Sequence, residues 1–375
     1  TVKAQMPAHW TEKITALVTP AGGEQKVVTP ALKDGWYEFT ETGKDLTVVY
    51  RNGAAIEDSH LSEPITLTDN AMLKVTQEGS AKAVCNRLIA DPAKHVFVVG
   101  DFNNWTISDE YQLKQANDSA YFWIELTGLN PGQEYAMQYV VVRADGKVVR
   151  ISDLYSTELK HPDDKWISGY KSNYPAQGDG YVTVLQTNKP AFKWSDATLN
   201  FKRPNKNNLV IYELWVYDHT PSRNIKGLID RLDYIEDLGV NAVELMPITE
   251  FDGNVSWGYS PNHFFALDRA YGTSDDLKTF VDECHKRGIA VILDMVFNHA
   301  TGLNPMNKLY PYGTDLSKNP WFNATAPHSD NVYEDWNHDF VPTKTMFTRS
   351  LQYWLTEYKV DGFRMDLSHG LCGIK

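Results

Sequence analysis

The chain has 375 residues, 42% of them hydrophobic and 12% aromatic, which is enough for two or three domains and too apolar for a disordered chain. A formal charge of −12 argues against nucleic acid or an anionic membrane surface as partner. Cys85, Cys284 and Cys372 lie far apart without metal-like spacing, and the longest apolar runs are strand-length, so no disulfide framework, zinc site or membrane insertion is expected.

Taken in chain order, residues 1–82 alternate short apolar runs with turn residues. KITALVTP, GWYEFT, LTVVYRNG and MLKVTQ are punctuated at Gly22-Gly23, Asp34-Gly35 and Asn52-Gly53. That rhythm predicts a small all-β sandwich of immunoglobulin-like type. Residues 83–188 predict a second sandwich, from HVFVVGDFNNW, from AYFWIELTGLNPG, and from a hairpin around Asp145-Gly146 in YAMQYVVVRADGKVVR. Residues 189–208 are polar and punctuated by proline, which suits a linker.

From Leu209 onward strands alternate with helices. LVIYELWV is strand-like, and IKGLIDRLDYIEDLG places Leu228, Leu232, Ile235 and Leu238 at helical spacing. The strand NAVELMPI follows, then a helix SDDLKTFVDECHKRG with Ser274 as N-cap and Gly288 at its end. The strand IAVILDMVF, the helix TKTMFTRSLQYWLTEY and the strand VDGFRMD complete four β/α units of a parallel sheet covered on its outer side.

In parallel β/α folds ligands sit at the carboxyl ends of strands, so polar residues late in apolar strands mark the site. VILDMVFNHA supplies Asp294, Asn298 and His299, with Asp294 and Asn298 on one face by alternation. GFRMD supplies Arg364 and Asp366, again on one face. An arginine beside a carboxylate favours the ionised form, ready to attack carbon or to stabilise a cation. Taken alone, each motif is more often a buried ion pair or a turn; two of them ending neighbouring strands point to chemistry. The loop DGNVSWGYSPNHFFALDRAYGTSDDL offers Trp257 and Tyr259 as faces for a sugar ring, and a packed Ω-type loop is its plainer reading.

These stretches carry a family resemblance. DMVFNH resembles the first signature of the α-amylase family, glycoside hydrolase family 13, GFRMD resembles its second, and WGYSPNHFFALDRAYG is similar to its segment after the second barrel strand. The resemblance covers residues 209–369 and implies that 209–375 is the N-terminal half of a TIM (β/α)8 barrel. It implies Asp366 as the nucleophile of a retaining α-glycosidase acting on α-1,4-glucans, with Arg364 orienting and ionising it. His299 and Tyr259 would line the sugar ring, the histidine by hydrogen bonds and the tyrosine by stacking. Asp294 matches the family's structural aspartate, and Asn298 matches a position that binds calcium in many α-amylases, though the chemistry itself requires no cofactor. After the nucleophile the chain reads LSHG, with His369 three residues on, where many α-amylases carry Lys-His. That departure also fits enzymes of branched glucans and malto-oligosaccharides.

The β regions carry resemblances too. VFVVGDFNNW with VVRISDLYS is similar to carbohydrate-binding module family 48, the isoamylase N-terminal domain. MPAHW, DGWYEF and VVYRNG resemble starch-binding modules of families 25 and 26, making Trp10, Trp36 and Tyr37 either glucan stackers or sandwich-core aromatics. Trp105 reads as a structural anchor.

Retaining hydrolysis uses two carboxyl groups about 5–5.5 Å apart. The family's proton donor is a glutamate ending the fifth barrel strand, and the 167 residues from 209 to 375 fall short of the roughly 250 of a full barrel. The expectation is therefore an incomplete, weakly active or inactive piece of an α-amylase-like glycoside hydrolase, secreted, at the cell surface or periplasmic, whose partner is an α-glucan polysaccharide or oligosaccharide. Two alternatives stay open: a glucan-branching or other transglycosylase of the same family, and a non-catalytic starch-binding protein.

Overall fold

The computed structural model describes residues 2–4, 14–19, 26–42, 46–52, 74–77, 80–85, 95–115, 122–143, 146–310 and 318–369. Near the start, Val2–Ala4, Trp36–Phe39 and Ala31–Lys33 form one antiparallel sheet, and Lys26–Val28, Ile14–Thr19 and Thr47–Asn52 form another. The Asp34-Gly35 turn has φ 51° and 80°, the left-handed pair that a two-residue hairpin turn needs. Ala16 and Val18 of one sheet share a small core with Phe39 of the other. The Gly22-Gly23 turn lies outside the described residues.

A second β region contains two larger antiparallel sheets. One orders Lys114–Gln115, Phe122–Leu126, Ser80–Cys85 and Lys74–Gln77. Its strand Ser80–Cys85 runs through the expected boundary at residue 82 and pairs with Phe122–Leu126, so hydrogen bonding carries residues 74–85 into this region. The other is built around Glu134–Val142, which pairs with His95–Gly100, Val148–Ile151 and Val182–Gln186, the last also bonded to Leu159–Lys160. Trp105 packs against Val99, Ala136 and Val140 and donates its Nε1–H to Asp101 Oδ1 at 2.9 Å, so it anchors the region.

Four parallel strands follow in sequence order: Ile211–Leu214, Ala242–Leu245, Ala290–Met295 and Gly362–Met365. Helices Ile225–Ile229 and Leu232–Asp237, then Ser274–Lys286, then Val341–Glu357 connect them. The single helix expected near 225–238 is thus two short ones. Leu228, Leu232 and Ile235 are fully buried, but Leu238 is exposed, because the second helix ends at Asp237 and Gly239 turns away at φ 76°. Helix Ser274–Lys286 is capped one residue earlier than expected. Thr273 Oγ1 accepts from the Asp276 N–H and Asp276 Oδ2 accepts from the Thr273 N–H, a reciprocal cap.

Residues 189–208 do not hang free as a linker. Asp282 Oδ1 accepts from the Ser195 N–H at 3.0 Å, from Ser195 Oγ at 2.8 Å and from Thr198 Oγ1 at 2.7 Å, while Phe201 stacks on His285 at 3.9 Å. Further polar groups of the segment are paired with Glu158, which Lys189 meets at 3.3 Å, and with Asp361, which Arg203 meets at 3.1 Å. A continuous hydrophobic core runs from Val96 and Tyr139 of the second β region to Leu245, Leu293 and Trp354 around the parallel sheet. Polar contacts cross the same junction: Arg269 bridges Asp164 and Glu250, Tyr181 donates to Phe251 O at 3.0 Å, and Ser152 Oγ meets His263 Nε2 at 2.8 Å.

Candidate active site

The parallel register that sets Asp294 beside Arg364 brings three charged side chains to the carboxyl end of the last two strands. Arg364 Nη1 donates to Asp294 Oδ1 at 3.0 Å, to Asp294 Oδ2 at 3.1 Å and to Asp366 Oδ1 at 2.7 Å. The Asp366 N–H donates to Met295 O at 3.0 Å, which fixes the chain just past the strand end. Among the described residues Oδ2 of Asp366 takes no hydrogen bond, whereas Oδ1 is oriented by Arg364.

Burial decides the electrostatics of this cluster. The Asp294 side chain is 0% exposed, against 15% for Asp366 and 45% for Arg364. Burial pushes the Asp294 carboxyl above its ordinary range, opposed by hydrogen bonds from Tyr259 and Arg364. For Arg364 burial works against the charge, but the hydrogen bonds to Asp366 and Asp294 outweigh it and hold the guanidinium firmly protonated. Asp294 therefore acts as a buried anchor that aims the arginine, and the arginine aims Asp366.

Tyr259 belongs to this network: its hydroxyl donates to Asp294 Oδ2 at 2.8 Å, and burial together with that bond holds the phenol protonated. His299 is buried. Its Nε2 lies 2.9 Å from Tyr259 O, an acceptor only, so Nε2 carries the proton and Nδ1 accepts from Asn298 Nδ2 at 3.2 Å. Burial lowers the histidine below its ordinary value, consistent with the neutral ring. Both nitrogens are thus used within the protein, and the ring props the Tyr259 backbone instead of presenting a free N–H. Asn298 departs from expectation as well, since the strand ends at Met295 and Asn298 lies beyond it, off the alternation with Asp294.

Trp257 is 62% exposed and meets Trp215 edge-on at 6.4 Å. His369 is exposed, with Nδ1 3.2 Å from Asp330 Oδ2. In the first β region Trp36 is exposed and Tyr37 is half-buried, while Trp10 lies outside the described residues. Three residues near the site escaped the sequence reading. Glu213 and Glu244 are register partners on the first two parallel strands, and Glu244 is pushed up by burial, by Glu213 and by Asp294. A lone glutamate breaking each of IYEL and AVEL was the available signal. Tyr333, exposed, lies 5.5 Å from the His299 ring, and nothing in its local sequence marks it.

Calcium was the one metal the sequence raised. Asn298 Oδ1 is a buried acceptor with no partner among the described residues, which suits a hard cation. Among those residues no group of three or more His, Cys, Asp or Glu side chains converges to hold a metal.

With this geometry in place, comparison with known proteins adds the following. The family described as "Alpha amylase, catalytic domain" matches residues 198–344. A malto-oligosyltrehalose trehalohydrolase of Saccharolobus solfataricus is 35% identical over 228 residues, covering 60% of this chain and 37% of that protein. A 1,4-alpha-glucan branching enzyme of Pseudoalteromonas atlantica is 29% identical over 290 residues, covering 74% and 37%. Isoamylase 3, chloroplastic, of Oryza sativa subsp. japonica is 34% identical over 263 residues, covering 58% and 33%. The solved apo pullulanase of Paenibacillus barengoltzii superposes with a TM-score of 0.63 at 19% identity, over 80% of this chain and 48% of that one, a likeness of fold alone. The chain thus spans between 33% and 48% of the length of these relatives.

Proposed function

We propose, from the match of residues 198–344 to the α-amylase catalytic-domain family, that the chain is part of a retaining enzyme of α-1,4-glucans with Asp366 as nucleophile. The four parallel strands are then the first half of a (β/α)8 barrel, and the two β regions before them are immunoglobulin-like sandwiches of the glucan-binding kind. What supports the reading is one contact set: Arg364 tied to a buried carboxylate, Asp294, and to an accessible one, Asp366.

In this reading Asp366 Oδ2 attacks the anomeric carbon as the glycosidic C–O bond breaks, and the departing oxygen takes its proton from a second carboxylic acid acting as general acid. The product is a glycosyl ester on Asp366, released by water in hydrolysis or by a sugar hydroxyl in transfer. The guanidinium steadies the carboxylate before attack by donating to Oδ1, which leaves the lone pairs of Oδ2 outside that bond. Tyr259, held by Asp294 and by His299, offers its ring face to the sugar. Since the trehalohydrolase and the branching enzyme resemble the chain over comparable shares of their lengths, hydrolysis and transfer are both compatible with it.

The test isolates the nucleophile. An α-maltosyl fluoride loses fluoride without needing a proton donor, so it reports on Asp366 alone. Incubated with the full chain and quenched, it should give a protein heavier by one maltosyl group, and Asp366→Asn should abolish the adduct. An adduct that persists in Asp366→Asn would sink the assignment.

A further inference from the structure

A cavity at the junction of the second β region and the parallel sheet takes no part in the site above. About 110 Å³ in volume, it is walled by Trp166 and Ile167 of the β region, by Tyr217 and Arg223 after the first parallel strand, and by Asn254 and Val255 after the second. Trp166 is 74% exposed, and Lys165 Nζ sits 5.1 Å from its ring centroid. Asn254 Nδ2 donates to Asp163 O at 2.7 Å, but its Oδ1 is shielded from solvent with no partner among the described residues.

The cavity is joined to the candidate active site by aromatic faces. Tyr217 stacks on Trp215 at 5.1 Å and 27°, and Trp215 meets Trp257 edge-on at 6.4 Å. Two residues after Trp257, the Tyr259 hydroxyl is bonded to Asp294. Trp215, Tyr217, Trp257 and Tyr259 follow the first or second parallel strand, on the same rim as Asp366. Planar rings flanked by amide and guanidinium groups suit a neutral polyol, whose C–H faces stack while its hydroxyls bond.

We infer that this cavity is a remote subsite for an α-glucan chain whose reacting end lies at Asp366, with Trp166 as stacking platform and Arg223 as hydroxyl partner. The inference rests on the α-glucan reading proposed above. It makes the second β region a wall of the substrate path as well as a packing partner.

Calorimetric titration of the full chain with maltotriose and with maltoheptaose tests it. Trp166 is exposed and outside the core, so Trp166→Ala leaves no cavity behind. That variant should bind maltoheptaose about tenfold more weakly, bind maltotriose as wild type does, and be largely rescued by Trp166→Phe. Unchanged maltoheptaose binding in Trp166→Ala overturns the subsite and leaves the α-glucan reading standing, and so does equal weakening of both sugars. A wild-type chain that binds neither sugar overturns both proposals.

Discussion

Asp153 shows how strongly a single environment sets a charge in this protein. It is 1% exposed, accepts from Tyr139 Oη at 2.8 Å and from the Tyr155 N–H at 2.7 Å, and is pushed up to about 7 by burial despite those bonds. A carboxyl raised in the folded state contributes stability that is fully present below its unfolded value and is lost as pH rises through the folded one. Asp153→Asn, which stays neutral, should therefore gain on wild type between about pH 4 and about pH 7, by an amount on the order of a few kcal/mol. Urea midpoints of both proteins at about pH 5 and about pH 8 check this; an equal difference at the two pH values would contradict it. The candidate site was legible at this scale where charges interrupt apolar strands late, as Arg364 and Asp366 do. Glu213 and Glu244 interrupt theirs in mid-strand, where a glutamate reads as sheet surface, and only the register reveals that they stand side by side.

Among the elements, the loop after the second parallel strand depends on Gly258. Its φ is +91°, and a Cβ there would lie 2.2 Å from Pro247 O, so backbone passes backbone with no room between. The glycine separates Trp257 from Tyr259, and both rings take their direction from it. Gly258→Ala should cost about 1–3 kcal/mol of stability and pull the Tyr259 hydroxyl away from Asp294. Thermal melting reads the first effect. Ultraviolet titration reads the second, as one phenol moving back toward the ordinary tyrosine range; a variant with wild-type melting and titration refutes both. The order and type of the parallel strands were legible from apolar runs and helical spacing. The break at Asp230-Arg231 and the docking of residues 195–201 were not. Their causes are tertiary, above all the three donors gathered by Asp282, a residue that local sequence places as one more polar position on a helix.

For the whole molecule, the junction between the second β region and the parallel sheet is the decisive interface. Arg269 is buried between Asp164 and Glu250, and burial pushes Glu250 well above its ordinary range even beside that guanidinium. Removing one member of such a set strands the others without water or counter-charge. Arg269→Met should destabilise the chain by about 3–5 kcal/mol, measured by urea denaturation, and adding Asp164→Asn and Glu250→Gln should recover part of the loss. A fully additive triple variant would show that the charges are not coupled.

Two binding patches on a loose tether search a large volume for each other's ligand, and the second contact forms only at the local concentration that polymer statistics allow. Here the connecting segment is tied down by Asp282 and stacked on His285, and the ion cluster closes the junction behind it. The spacing between any two points on the rim is therefore fixed before a ligand arrives. On the α-glucan reading proposed above, a linear chain laid along that rim would surrender its orientational freedom once, not once per contact, and the spacing of the contacts would act as a ruler for chain length.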